Sequence, residues 1–427
     1  MFTTPGFSRA VALGSVMGLV AAVALAAPAR AAAGDLDPTF GGDGVVTLEI
    51  GDPAGAEGAA DLVVLGDGTI FAVGSAGFET HPPVLRTYLL SPTGEPLTPA
   101  GGIGPRDGSA LRAVARAPGG KVVAVGWAGT FAYEGPLIRS WFLVARFLPN
   151  GAPDPSFSGD GFALTAMGAG DAFANDVAVR PDGRIVVTGA ATRNGAGVFA
   201  AARYTAAGAL DPTFGTNGRS FVTFAAGNAE AEAVGIGPDG GVVIAGTSVL
   251  PSDGRPSFAV ARLRSNGTLD ARFSGDGRTI VTFSTRRATA HDVGVMADGR
   301  IVVGGVVSSL TGDLFGLARL RTGGGLDTTF DADGKVLTRF TSGDATLWAL
   351  TLVPGGTIVA AGGADYDLAL ARYSPNGMLD ATFGGDGMVT TDQPDPSAFR
   401  GVALMPDGKI MAAGNTGNEP AFARYLA

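Results

Sequence analysis

The chain has 427 residues, of which 69 are Gly, 26 Pro and none Cys, with 46% apolar and 16% charged residues and a net charge of −9. That much Gly argues against helix bundles, because each Gly in a helix interior costs ~1 kcal/mol relative to Ala. The lack of Cys excludes disulfide frameworks, Cys-ligated zinc, iron–sulfur clusters and thiol catalysis; the apolar fraction argues against global disorder, and the acidic balance against nucleic acid or an anionic membrane surface as partner.

Residues 1–31 read as a secretory signal peptide. Arg9 precedes the apolar run AVALGSVMGLVAAVALAAP, and Ala29-Arg30-Ala31 offers a small-x-small site, with cleavage expected after residue 31 or 33. An uncleaved anchor is the alternative, but Gly14, Ser15 and many Ala leave the run only mildly apolar. No second run of that length follows, so no membrane insertion is expected after cleavage, and export to the periplasm, cell surface or medium is. Residues 34–427 read as one domain.

The first predicted element of that domain is a strand from Leu36 to about Thr47, opened by the phrase LDPTFGGDG. Next comes a hairpin with its turn at Gly68, and from there a motif repeats along the chain. VAVRPDGRIVVTG, ending at Gly189, recurs as VGIGPDGGVVIAG ending at Gly246, VGVMADGRIVVGG ending at Gly305, LTLVPGGTIVAAG ending at Gly362 and VALMPDGKIMAAG ending at Gly414, with looser copies ending at Gly74 and Gly126. The turn glycines, Gly68, Gly120, Gly183, Gly240, Gly299, Gly356 and Gly408, are spaced by 52 to 63 residues. Pro presets the turn dihedral and Gly accepts positive φ, so each copy predicts a β-hairpin. After a stretch of variable length a third strand follows, read as FLVARF, FAAARY, FAVARL, FGLARL, LALARY and, at Ala421–Tyr425, AFARY. A short turn then leads into the Leu-Asp-x-x-Phe phrase, taken as the fourth strand.

Seven units of four short strands predict an all-β, seven-bladed β-propeller of four-stranded antiparallel blades. The chain opens with a fourth strand and reaches a third strand at Ala421–Tyr425, so the N-terminal strand is expected to complete the last blade and close the ring. The combination of LDPTFG-x-DG, PDGKIVVAG and FALARY resembles the delta-60 repeats of exported bacterial proteins over nearly the whole mature chain. NHL and gluconolactonase-like propellers share only the Pro-Asp-Gly hairpin. The resemblance implies a propeller and export, and brings no catalytic motif. The first repeat departs from it, since LRTYLLSPTG lacks the Arg and LTPAGGIG lacks Asp and Phe.

Arg146, Arg203, Arg262, Arg319, Arg372 and Arg424 recur on the third strand, and Asp154, Asp211, Asp270, Asp327, Asp380 and Asp37 recur in the phrase that follows it. One Arg and one Asp per blade predict a bidentate pair tying strands three and four. Phe40, Phe157, Phe214, Phe273, Phe330 and Phe383 are expected between blades. The Gly-Asp-Gly stretches, Asp331-Ala-Asp333-Gly334 included, read as turns, because they lack a calcium loop's distal Glu. No metal and no cofactor are expected.

Function is sought where the repeats differ. The loops from strand two to three and from strand four to the next blade vary and share one face. Eight residues before each turn Gly, at the predicted start of the innermost strand on that face, stand Ala60, Arg112, Asn175, Glu232, His291, Trp348 and Arg400. Such a ring is either a ligand site at the channel mouth or a set of strand starts facing water, and Asp61, Asp176 and Asp292 could join it. The candidate ligand is a glycan, bound through Trp348 with Arg and carboxylates, or an extracellular protein; the segment Trp127 to Trp141 is a second candidate contact patch, and a monomer is expected. Catalysis has thin support. The two His are His81 and His291, and no nucleophile elbow or phosphate loop with Lys occurs. The alternative to a binding or scaffolding module is a polysaccharide lyase or hydrolase that uses His291 with Glu232 or Asp292.

Overall fold

The computed structural model describes residues 31–49, 56–77, 82–102, 108–131, 137–225, 227–340 and 343–427. The leader therefore lies outside the described residues except for Ala31, as does His81. The fold belongs to the compact unit Ala32–Ala427.

Among the described residues twenty-eight strands form seven four-stranded antiparallel sheets, and there is no α-helix. Each sheet is a blade that runs in chain order from an inner to an outer strand; blade 4, for example, is Ala229–Ile236, Val242–Val249, Pro256–Leu263 and Arg278–Val281. The inner strands of blades 1, 2, 3, 5 and 6 are Ala56–Val64, Ser109–Arg116, Ala172–Val179, Ala288–Val295 and Ala345–Leu352. Blade 7 takes Ser397–Leu404, Ile410–Thr416 and Glu419–Tyr425 from one end of the fold and Val45–Thr47 from the other. Val45, Val46 and Thr47 pair with Ala423, Phe422 and Ala421, which is the expected closure.

One expectation needs correction. The strand expected from Leu36 is only Val45–Thr47, and the Leu-Asp-x-x-Phe phrase before it is a turn. Asp37 accepts the Thr39 N–H through Oδ1, Gly44 N–H donates to the Phe40 carbonyl, and Gly41 and Gly44 have φ of 62° and 96°, so the chain cannot extend there. The same turn follows the third strand in blades 2 to 6, where Pro153, Leu210, Leu269, Leu326 and Leu379 each bridge back to the end of that strand. The Gly-Asp-Gly tail starts the short outer strand: Asp160, Asp276, Asp333 and Asp386 each accept the backbone N–H two residues on. These are turns, as expected.

The turn holds the predicted charge pair, but not as a bidentate one: Nε meets one carboxylate oxygen while Nη2 donates to the turn hydroxyl of Ser156, Thr213, Thr329, Thr382 or Thr39. Nε–Oδ2 distances are 2.7 Å for Arg146–Asp154, 2.9 Å for Arg203–Asp211, 2.8 Å for Arg319–Asp327, 2.9 Å for Arg372–Asp380 and 2.7 Å for Arg424–Asp37, and 3.6 Å for the looser Arg262–Asp270. In five blades the same guanidinium also reaches the next blade, donating to the carbonyls of Ala206, Ser265, Thr322, Pro375 and Pro92. Arg146, Arg203, Arg319, Arg372 and Arg424 lie over the Phe of their own turns, with Cζ 4.6 Å from the Phe330 ring centroid for Arg319. The six turn Phe are fully buried. Blade 1 has Leu89 where the others have Arg, and its side chain packs towards Gly151 of blade 2.

Candidate functional site

Every predicted ring residue lies at a β-bulge. The pairing of the inner with the second strand slips at Ala60, Arg112, Asn175, Glu232, His291, Trp348 and Arg400, one in each of the seven blades. They sit inside the strand, where the extra residue breaks the alternation of faces, and not at its start as expected. The bulge explains a glycine. A Cβ on Gly246 would lie 2.0 Å from the Glu230 carbonyl oxygen, and on Gly362 1.9 Å from that of Thr346. The bulged strand leans into space that only Gly leaves open, which is why every hairpin copy ends on Gly.

The seven bulges line one axial cavity of about 330 Å³. Arg112 Nη1 donates to Asn175 Oδ1 at 2.6 Å, and Asn175 Nδ2 donates to the Ala231 carbonyl at 2.8 Å, linking blades 2, 3 and 4. On the opposite arc His291 stacks on Trp348, with ring centroids 4.2 Å apart and planes 8° from parallel, while Arg400 Cζ lies 3.9 Å from the Trp348 centroid. His291 Nδ1 is 2.6 Å from the Leu347 carbonyl. That contact assigns the proton to Nδ1 in the neutral ring, and burial, with Arg400 nearby, pushes the imidazole down to about 4. Burial, with Glu230 nearby, pushes Glu232 up to about 8.

One residue beyond the bulge, Asp61, Asp176 and Asp292 in blades 1, 3 and 5 face Ala113, Ala233, Ala349 and Gly401 at the equivalent places of the other blades. Each Asp accepts the next N–H of its own strand and reaches across to the next blade: Asp61 to Val114 at 2.9 Å, Asp176 to Val234 at 2.6 Å, Asp292 to Leu350 at 2.6 Å. These carboxylates thus staple blades 1 to 2, 3 to 4 and 5 to 6. Burial pushes all three up, Asp61 to about 7 and Asp292 to about 6, and the charge of Asp292 adds to the shift at Asp61 and Asp176.

The structure therefore brings all the predicted site residues together, and changes what two aromatic groups can do. His291 and Arg400 come from the blades on either side of Trp348 and both pack on its ring, so the half-buried indole is part of a trio with them. Trp127 is likewise buried, against Phe131 and Phe173, so it is no part of a free contact patch; residues 132–136 of that segment lie outside the described residues. A second cavity of about 330 Å³ continues from Trp348 and Arg400 between blades 6 and 7, and a third of about 190 Å³ continues from Ala60 and Arg112. Sequence reasoning missed the first of these because its wall is a hairpin tip, Asp365-Tyr366, that occurs in one blade.

A family model described as a β-propeller domain of unknown function (DUF5122) matches residues 140–157, 180–214, 237–273, 297–330 and 354–383. No curated protein matches the sequence. Similar solved structures include a catalytically inactive virginiamycin B lyase from Staphylococcus aureus with quinupristin, at TM-score 0.52 and 12% identity over 90% of this chain and 99% of that one. They also include the polysaccharide lyase Uly1, at 0.51 and 12% over 86% and 90%, and the WD40 propeller domain of Doa1, at 0.50 and 13% over 89% and 95%. Among the described residues no helix is long and apolar enough to cross a membrane. The matched segments fall on the third strands and turns of blades 2 to 6 and on the hairpins of blades 3 to 6, and with the four-stranded blades they support a β-propeller built from repeats.

Proposed function

We propose that the protein is an exported binding or scaffolding module whose ligand, a glycan or an extracellular protein, enters the axial cavity. The observation that supports this is the set of seven bulges, which turn seven side chains of six types out of a uniform scaffold into one space. A concave site with a few convergent polar groups is what ligand recognition uses. Arg112, Asn175, Glu232, His291, Trp348 and Arg400 supply those groups. Export rests on the leader read from the sequence.

A catalytic reading has one observation in its favour: Glu232 and His291 occupy adjacent bulges of one cavity, where burial favours the protonated carboxyl and the neutral imidazole. The lyases among the folded neighbours carry no residue over to this chain. The mature protein should be screened against a glycan array and against secreted proteins, with Trp fluorescence as readout, and each ligand found should be titrated against Arg400→Ala and Trp348→Ala. Loss of binding in both is expected. A ligand bound equally by both variants would place recognition elsewhere, and turnover of a bound polysaccharide that disappears in His291→Ala would favour the enzyme.

A further inference from the structure

The two-residue hairpin tips of blades 3 and 6 are the same turn with different residues. In blade 3, Asn194 and Gly195 have φ of 52° and 78°, the conformation that Asn-Gly adopts readily. In blade 6, Asp365 and Tyr366 take φ of 50° and 74° in the equivalent place, between Ile358–Ala364 and Asp367–Tyr373. A bulky aromatic residue in the left-handed region is a conformational outlier, and such outliers concentrate at binding sites. The tip is fixed on both sides. Asp365 N–H donates to the Asp344 carbonyl at 2.9 Å, Asp344 N–H donates to Asp365 Oδ1 at 3.1 Å, and Ser397 N–H of blade 7 donates to the Tyr366 carbonyl at 2.6 Å. The phenol ring so held is 75% exposed and lines the blade 6–7 cavity, whose wall includes Asp344, Asp365 and Asn415 and whose inner end is Trp348 and Arg400.

We propose that this groove is a subsite for a neutral, linear oligosaccharide that runs from the axial cavity outward onto Tyr366; the inference rests on the axial cavity being the ligand site. A rigid aromatic face presented to a groove suits the apolar face of a sugar ring, and planar carboxylate and amide groups along the wall suit its hydroxyls. The groove meets the axial cavity at Trp348 and Arg400, so one chain can occupy both. Two carboxylates at the outer end, on a chain of net charge −9, disfavour a uronate polymer there. The extra φ strain marks Tyr366 as a residue the fold itself does not need, since Gly does the same task in blade 3.

The test is calorimetric titration of the mature protein with neutral glucan and chitin oligosaccharides of rising length, beside a uronate series, for the parent, Tyr366→Gly, Tyr366→Phe and Arg400→Ala. Parent affinity should rise with length until the chain spans both cavities. Tyr366→Gly should bind the longer chains roughly five- to tenfold more weakly and the shortest ones as the parent does, with Tyr366→Phe close to the parent. Gly relaxes the turn, so the melting temperature of that variant should hold or rise, which separates lost contact from lost fold. Equal affinity of Tyr366→Gly for every length, a preference for the uronate series, or no neutral chain bound at all would overturn the subsite. If a protein ligand then binds and is lost in Arg400→Ala, the axial site stands without it; if Arg400→Ala changes nothing for any ligand, the axial site falls as well.

Discussion

Glu232 and His291 occupy adjacent bulges and are displaced from their ordinary ionisation in opposite directions by the same cause, removal from water. Their effects on stability separate by pH. The His291 ring, pushed from 6.5 down to about 4, lets stability fall as pH drops from 6.5 towards 4, because the unfolded chain takes up a proton first. The Glu232 carboxyl, pushed from 4.5 up to about 8, lets stability fall as pH rises from 4.5 through 8, because the unfolded chain releases its proton first. Above 6.5 the histidine contribution fades, and Glu232 acts up to 8 with Asp61, whose carboxyl is pushed up to about 7, and with Asp176, which burial pushes well up. Glu232→Gln should therefore flatten the decline in that interval by about 1–2 kcal/mol, read from thermal unfolding at a series of pH values. Parallel curves for parent and variant would mean that the glutamate is already ionised in the folded ring. The Arg–Asp pairs were legible in the sequence because both partners recur at fixed places. The guanidinium's second bond, to a carbonyl of the next blade, was not, because a backbone acceptor leaves no residue type to read. A basic residue after the hairpin turn gave a usable signal: Lys121, Arg184, Arg300 and Lys409 all pair with the Asp of the same node, at 2.7, 3.1, 3.3 and 2.8 Å.

At the scale of the element, the inner hairpin is the unit that makes the site. A regular hairpin would alternate its side chains between two neighbouring blades and leave the axis lined by whichever residues came next. The bulge adds one residue per blade that belongs to neither face, and frees it from the packing that keeps the buried residue before it apolar, as Ala, Leu or Phe. This is why the ring varies from Ala60 to Trp348 while the preceding position stays apolar. The ring was legible as a column of non-repeating residues; its projection by a bulge was not, although the Gly that ends every hairpin was in plain sight. The coupling of the two can be tested in blade 4. Gly246→Ala brings a methyl group to a carbonyl oxygen that is now 2.0 Å from the Cβ position, so the bulge must shift. The expected cost is about 2–3 kcal/mol, together with a displaced Glu232 and a loss of the pH effect described above. Gly195→Ala, where the Cβ would meet nothing but φ is 78°, should cost about 1 kcal/mol and leave the pH profile intact. A Gly246→Ala protein with parent stability and an unaltered profile would detach the glycine from the bulge.

At the scale of the whole molecule, the ring is as strong as its closure, and the closure is carried by few residues. Besides the three pairs of Val45–Thr47, the N-terminal segment gives blade 7 the Asp37 carboxylate for Arg424 and Lys409, the buried Phe40 ring, and backbone bonds between Gly34 and Leu426 and between Asp35 and Leu426. It also reaches blade 6, where Gly384 N–H donates to the Ala33 carbonyl. Arg424 is buried, and without Asp37 it keeps its bonds to Pro92 and Thr39 but loses its counter-charge. Asp37→Asn should thus cost about 3 kcal/mol by itself. Deleting residues 34–48 removes the counter-charge, the Phe and the outer strand together, and leaves Glu419–Tyr425 as a bare sheet edge beside blade 1, the blade that already has Leu89 in place of the inter-blade Arg. An uncovered edge of that kind pairs with other chains. The deletion variant should melt well below the parent and scatter light as it does so, whereas Asp37→Asn should melt lower and stay monodisperse. If the deletion melts with the parent, the seven blades hold the ring without their N-terminal clasp, and the axial site does not depend on it.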